Sequence, residues 1–160
     1  MKRMHVAICL ILLAAATAVA QDAKPDFSGT WTLDLAKSDF GQMPAPDSLV
    51  SVIEHKEPNL KITTTQKGQQ GELTNTRVLT TDGKENVNKL QTMGGEQEVK
   101  STTRWNGRAL TTAFTIDAQG TAIEVSDSFA LSADGKVLTV TREVKTPQGD
   151  LATKMVFNKQ

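Results

Sequence analysis

From Phe27 onward apolar and polar residues alternate, and Gly, Asp and Asn cut the alternating runs at short intervals. A period of two puts successive side chains on opposite faces of a strand, so the pattern predicts an all-β domain. Ten strands are expected, over 27–35, 48–56, 60–67, 72–81, 85–92, 96–105, 109–116, 122–131, 137–144 and 151–158. No window shows a helical period. The stretch LAKSDFGQMPAP, 35–46, breaks the alternation with Ser, Asp, Gly and two Pro, and predicts a longer loop with room for one helical turn. This number of short strands suits an antiparallel up-and-down β-barrel of about 8–10 strands, or a sandwich.

Turn chemistry fixes register, and register fixes which side chains share a face. Asn106-Gly107 is the strongest hairpin signal, because both residues tolerate the positive φ of a type I′ turn. Pairing outward from it sets Trp105 against Arg108, Thr103 against Leu110, Ser101 against Thr112 and Val99 against Phe114. A turn over 117–120 then pairs Ile116 with Thr121 and Phe114 with Ile123. A turn over 133–136 pairs Leu131 with Leu138, Phe129 with Val140, Asp127 with Arg142 and Val125 with Val144. The TPQG turn brings Leu151 to Val144, Met155 to Val140 and Phe157 to Leu138. Together these turns predict one continuous apolar face.

Two charges interrupt that face, Asp127 and Arg142, directly opposite each other in the expected register. Losing one partner of a buried pair costs about 3–5 kcal/mol, so mutual satisfaction explains them structurally. The functional alternative is that Arg142, or the pair, holds the polar head of a bound molecule through the guanidinium fork. Inward Thr103 and Thr112 would help orient such a molecule. Trp105, beside its turn, suits either stacking on a ligand or covering one end of the core.

The N-terminus changes the picture of where this domain works. Lys2 and Arg3 precede an apolar run over 6–16, and Ala18-Val19-Ala20 precedes Gln21, which reads as a signal peptide over 1–20 followed by a single domain over 21–160. A membrane anchor is the alternative, but the run is shorter than the roughly 20 apolar residues a span needs. A secreted or periplasmic protein without stable membrane insertion is expected. Cys9, the lone Cys, lies inside that run, leaving no disulfide or thiolate chemistry in the mature domain. The 18 basic and 18 acidic residues of the whole chain become 16 and 18 without Lys2 and Arg3, a net charge of −2. With no basic block, nucleic acid is a poor partner.

Cofactor and catalytic chemistry find little support. His55 is the one His beyond the leader, no metal or haem ligand set is recognisable, and no strained Gly-x-Ser-x-Gly turn is present. A surface or barrel-rim position is expected for His55. Gly94-Gly95 and 68–71 read as turns, without the following helix a phosphate cradle would use. No cofactor, no metal and no enzymatic activity are expected.

The opening FSGTWTLDL puts Phe27, Gly29, Trp31, Leu33 and Leu35 on one face, and Gly29 leaves room beside Trp31 for close approach. Gly29-Thr30-Trp31 resembles the Gly-x-Trp of the lipocalin-like barrels of the calycin superfamily, whose first-strand Trp packs across one end of the barrel against an Arg from a late strand. The resemblance implies that Gly29, Trp31 and Arg142 close the barrel. WNGRALTTAF, DGKVLTVTREV and GDLATKMVFNK resemble the last four strands of fatty-acid-binding-type barrels, and FSGTWTLDLAKSDFG resembles secreted bacterial lipocalin-like proteins of unassigned function. The Arg-x-Tyr that grips a carboxylate in intracellular fatty-acid-binding proteins is replaced here by Lys154-Met155-Val156, and the chain has no Tyr. The expected function is binding of a small hydrophobic or amphipathic ligand inside the barrel. The alternative is a non-catalytic structural or protein-interaction module of the cell envelope whose barrel is filled by its own side chains.

Overall fold

A computed structural model describes residues 23–160 except 70, 93, 94 and 119. The segment expected to be a signal peptide, 1–20, lies outside the described residues. Ten strands form one sheet: β1 Gly29–Leu33, β2 Ser48–Lys56, β3 Asn59–Gly68, β4 Gly71–Thr80, β5 Asp82–Thr92, β6 Gly95–Asn106, β7 Ala109–Ala118, β8 Thr121–Leu131, β9 Val137–Thr146 and β10 Gly149–Lys159. All are antiparallel to their neighbours, and the order β4-β3-β2-β1-β10-β9-β8-β7-β6-β5 runs around an up-and-down barrel that is nearly closed. The interrupted segment after β1 holds a single 3₁₀ turn, Leu35–Lys37, and touches the sheet again through an Asp39–Lys154 bridge. Its prolines and Gly41 prevent it from extending the sheet.

The inward face is the one that alternation predicted, but two registers differ. Trp105 pairs with Leu110, Thr103 with Thr112 and Ser101 with Phe114, two residues from the expected pairing. Asn106 stays in the ladder opposite Ala109, and Gly107, at φ +61°, is the first of the two turn residues, a position where the primed hairpin turns require positive φ. Likewise β7 and β8 continue to Ala118 and Thr121, so Phe114 faces Val125. A shift of two preserves which face each side chain takes. The β8–β9 and β9–β10 pairings, including Asp127 with Arg142, are as expected.

The two free edges, β4 and β5, meet without a backbone ladder. Side-chain amides take its place. Asn88 accepts from the Val78 N–H at 2.7 Å and donates to the Val78 carbonyl at 3.1 Å, and Asn75 does the same to Gln91 at 2.7 and 3.0 Å. Asn86 accepts from the Thr80 N–H at 2.8 Å. Buried backbone groups that lack a partner are costly, and a carboxamide carries the same donor and acceptor as a peptide. These residues therefore satisfy edges that the strands cannot satisfy directly.

One end of the barrel is filled. Trp31, Phe27, Leu60, Leu79, Leu110 and Leu138 are almost completely buried there. The Trp31 indole N–H donates to the Phe27 carbonyl at 2.9 Å, so its polar atom is satisfied within the apolar packing. Gly29 has φ +140°, and a Cβ on it would lie 2.6 Å from the Cε of Lys159. The missing side chain lets Lys159 lie over the Trp31 ring, with its ammonium 5.2 Å from the centroid. The cation against Trp31 is therefore Lys159 and not Arg142, which β9 places near the middle of the barrel opposite Asp127 and Thr153. Among the described residues, no helix is long and apolar enough to cross a membrane.

Candidate functional site

The other half of the barrel is hollow. A cavity of about 430 Å³ is bounded by inward residues of most strands, among them Ile53, Ile62, Phe114, Phe129, Val140 and Met155. It reaches Gln66, Leu73, Gln91 and Ile116 beside the turns at the end opposite Trp31, where Phe40, Met43, Pro44 and Pro46 of the β1–β2 connection also border it. The sequence builds it simply. Alternation supplies apolar side chains to the interior, and the Pro-containing connection, which cannot join the sheet, lies across the mouth.

Among the described residues, only three charged side chains line this cavity: Asp127, Arg142 and Arg77. Asp127 on β8 has no exposed surface. Arg142, its neighbour on β9, grips it with both prongs of a fork, Nε to Oδ1 at 2.6 Å and Nη2 to Oδ2 at 2.9 Å. Arg77 reaches across from β4 and donates one bond, Nη1 to Oδ2 at 3.3 Å, while its guanidinium lies 5.8 Å from the Phe114 ring centroid. Burial by itself would raise the Asp127 pKa. The charge and hydrogen bonds of Arg142, then those of Arg77, outweigh it and hold the carboxyl below its usual range. Asp127 raises the pKa of Arg142, whereas burial lowers that of Arg77 despite the attraction of Asp127, with repulsion from Arg142 adding to the fall. Both guanidiniums remain cationic near neutrality.

No family model matches the chain, and no curated protein sequence matches it. Among solved structures, the barrel is similar to that of zebrafish ileal bile acid-binding protein in complex with cholic acid, with 20% identity, 84% of this chain and 98% of that chain covered, and a TM-score of 0.53. The likeness is one of fold.

The remaining expected site residues sit elsewhere. Thr103 and Thr112 are fully buried, with their hydroxyls 2.9 Å apart, and neither lines the cavity. Trp105 is at the filled end. Its indole N–H donates to Glu57 at 3.0 Å and its ring lies 6.0 Å from both Phe27 and His55. His55, expected at the surface or rim, keeps only 3% of its side chain exposed. Its Nδ1 accepts from the Phe27 N–H at 3.3 Å, which leaves Nε2 to carry the proton toward Glu57 at 3.0 Å. Glu57 also accepts from Thr81 at 2.9 Å and pairs with Lys24 at 3.2 Å. This network ties the N-terminal segment onto the barrel end. None of its residues borders the cavity, and among the described residues no three His, Cys, Asp or Glu are arranged for a metal.

Arg77 is the site residue that sequence reasoning missed. Its acceptor is 50 positions away across the barrel interior, on a strand that β4 does not pair with. Alternation does place it on the inward face between Asn75 and Leu79, and an inward arginine was the available signal.

Proposed function

We propose that this chain is a non-catalytic binding protein that takes a small hydrophobic or amphipathic molecule into its barrel, acting in the periplasm or outside the cell after loss of its N-terminal segment. The reading assigns it to the lipocalin-like barrels of the calycin superfamily, nearest to their secreted bacterial members. One observation carries it: an open, mostly apolar cavity with one cluster of charged groups directed into it. Its size falls in the range of about 300–1,000 Å³ usual for small-molecule sites, and apolar walls with few convergent polar groups are their usual lining. A barrel of similar fold is known with cholic acid bound, which supports the same use of the interior. Binding follows from desolvation of the ligand's apolar part, worth about 25 cal/mol per Å² removed from water, with the polar head toward Arg142, Asp127 and Arg77.

Native mass spectrometry of the processed protein after incubation with a bacterial lipid extract tests the proposal. An exchangeable small molecule retained at one equivalent is expected. A protein that retains nothing from a broad extract overturns it in favour of the second reading, an interaction module of the envelope, which the completely packed Trp31 end favours.

A further inference from the structure

We infer that the cavity selects an amphiphile with a singly charged anionic head, and that Arg77, not Arg142, is the residue that grips it. The inference deepens the cavity-binding reading above and rests on it. Two guanidiniums face one carboxylate, and among the described residues no other charged side chain lines the cavity, so its centre carries one uncompensated positive charge. An uncompensated charge away from bulk water is costly, and an anion brought in by a ligand would neutralise it.

The two arginines are not equivalent. Arg142 spends Nε and Nη2 on Asp127 in a bidentate pair, and only its Nη1 remains. Arg77 spends Nη1 alone, in one bond of 3.3 Å. Its Nε and Nη2 form the same edge with which Arg142 holds Asp127, and no protein acceptor among the described residues takes them. No buried side-chain nitrogen or oxygen among the described residues lacks a partner, so these two donors are accessible within the cavity that Arg77 lines. A planar carboxylate is the head that such an edge receives with two parallel hydrogen bonds. Phe114, against the Arg77 guanidinium, and Met155 and Val140 on the facing strands offer the apolar surface for the ligand body.

Charge balance also separates the two residues in the empty protein. Removing Arg77 leaves a neutral Asp127–Arg142 pair and relieves the repulsion between the guanidiniums, whereas removing Arg142 breaks the fork. Calorimetric titrations with decanoate, decan-1-ol and decyltrimethylammonium, each below its micelle concentration and at about pH 8, where a carboxylate is ionised, test the inference. Decanoate is expected to bind at least about tenfold more tightly than the alcohol, the worth of one charge-assisted hydrogen bond, and the cation more weakly than either. Arg77→Met should erase the difference between acid and alcohol while melting at or above the wild-type temperature, and Arg77→Lys should retain part of it.

Equal affinity for decanoate and decan-1-ol in the wild type, or a preference that survives Arg77→Met, overturns the inference and leaves cavity binding intact. Failure of Arg77→Met to fold shows that Arg77 is needed by the barrel itself and also counts against the assignment, with Arg77→Lys then reporting on the charge alone. If none of the three molecules binds, cavity binding falls and the inference falls with it.

Discussion

The two ends of this barrel both hold polar groups beside apolar side chains, Lys24 and Glu57 half-exposed at the Trp31 end and Asp127 buried in the hollow half, yet they use them differently. At the Trp31 end, His55, Glu57, Thr81, Trp105 and Lys24 satisfy one another, and large side chains fill the space around them. In the hollow half, Asp127 is fully satisfied while Arg77 keeps donors free, and the side chains stop short of filling the interior. A satisfied network in a packed region makes a fold rigid; an unbalanced one beside open space can bind something. The difference lies in donor accounting and volume rather than in residue type, since each region contains a carboxylate, a cation and an aromatic ring.

The largest effects should come from the two anchors. Trp31→Ala is expected to cost about 3–5 kcal/mol through lost burial and the cavity left behind. Asp127→Ala should cost a similar amount, about 3–5 kcal/mol, because two guanidiniums are stranded. Urea unfolding measures both. The comparison would break if Asp127→Ala cost no more than an exposed ion pair. Low pH should weaken both regions, since, against the effect of burial, hydrogen bonds from His55, Thr81, Lys24 and Trp105 lower the Glu57 pKa at the Trp31 end just as the two arginines lower that of Asp127. The Asp127 pKa is lowered on folding, so its contribution is fully present above the ordinary carboxylate range and disappears as the pH falls through its folded-state value, below about pH 4. Melting temperature followed from pH 7 downward should show this loss in the wild type, and Asp127→Asn should lack that component.

A smaller effect is expected at the hydroxyl pair. Thr103→Val leaves the Thr112 hydroxyl buried without its partner and should cost about 1–3 kcal/mol, whereas Thr103→Val with Thr112→Val should recover most of it. Full additivity of the two single substitutions would contradict the pair. At the β4–β5 seam, Asn88→Ala removes the acceptor of the Val78 N–H, and hydrogen exchange at Val78 should accelerate while amides in the β8–β9 ladder keep their protection. The smallest change is expected on the outside. Lys61→Ala loses an exposed pair with Glu54 and should shift stability by less than about 1 kcal/mol.

Strand number and inward face were legible because alternation is a local property. The registers around Gly107 and Gly120 were not fully legible: the first turn moves on by one residue, which shifts its pairing by two, and β7 runs two residues further, to Ala118, before pairing back at Thr121. The Asp127–Arg142 pairing was readable because a short turn after Leu131 fixes it. The cation on Trp31 was not. Gly29 announces a close approach, but which side chain fills the space depends on how far β10 extends, and it extends to Lys159. Arg77 and the seam amides depend on strands meeting across the barrel, which no turn signal encodes. Trp105, for which ligand stacking was one of two expectations, and His55, expected at the surface or rim, both serve the packed end, because their partners Glu57 and Phe27 come from other segments.

The difference between the two ends is tested most directly by ¹H–¹⁵N and methyl NMR during titration with decanoate. The account predicts shifts concentrated at Arg77 Nε–H, Phe114, Val140 and Met155, with the Trp31 and Trp105 indole signals unmoved. Shifts centred on the indoles, or scattered over outward-facing residues with the interior silent, would contradict it.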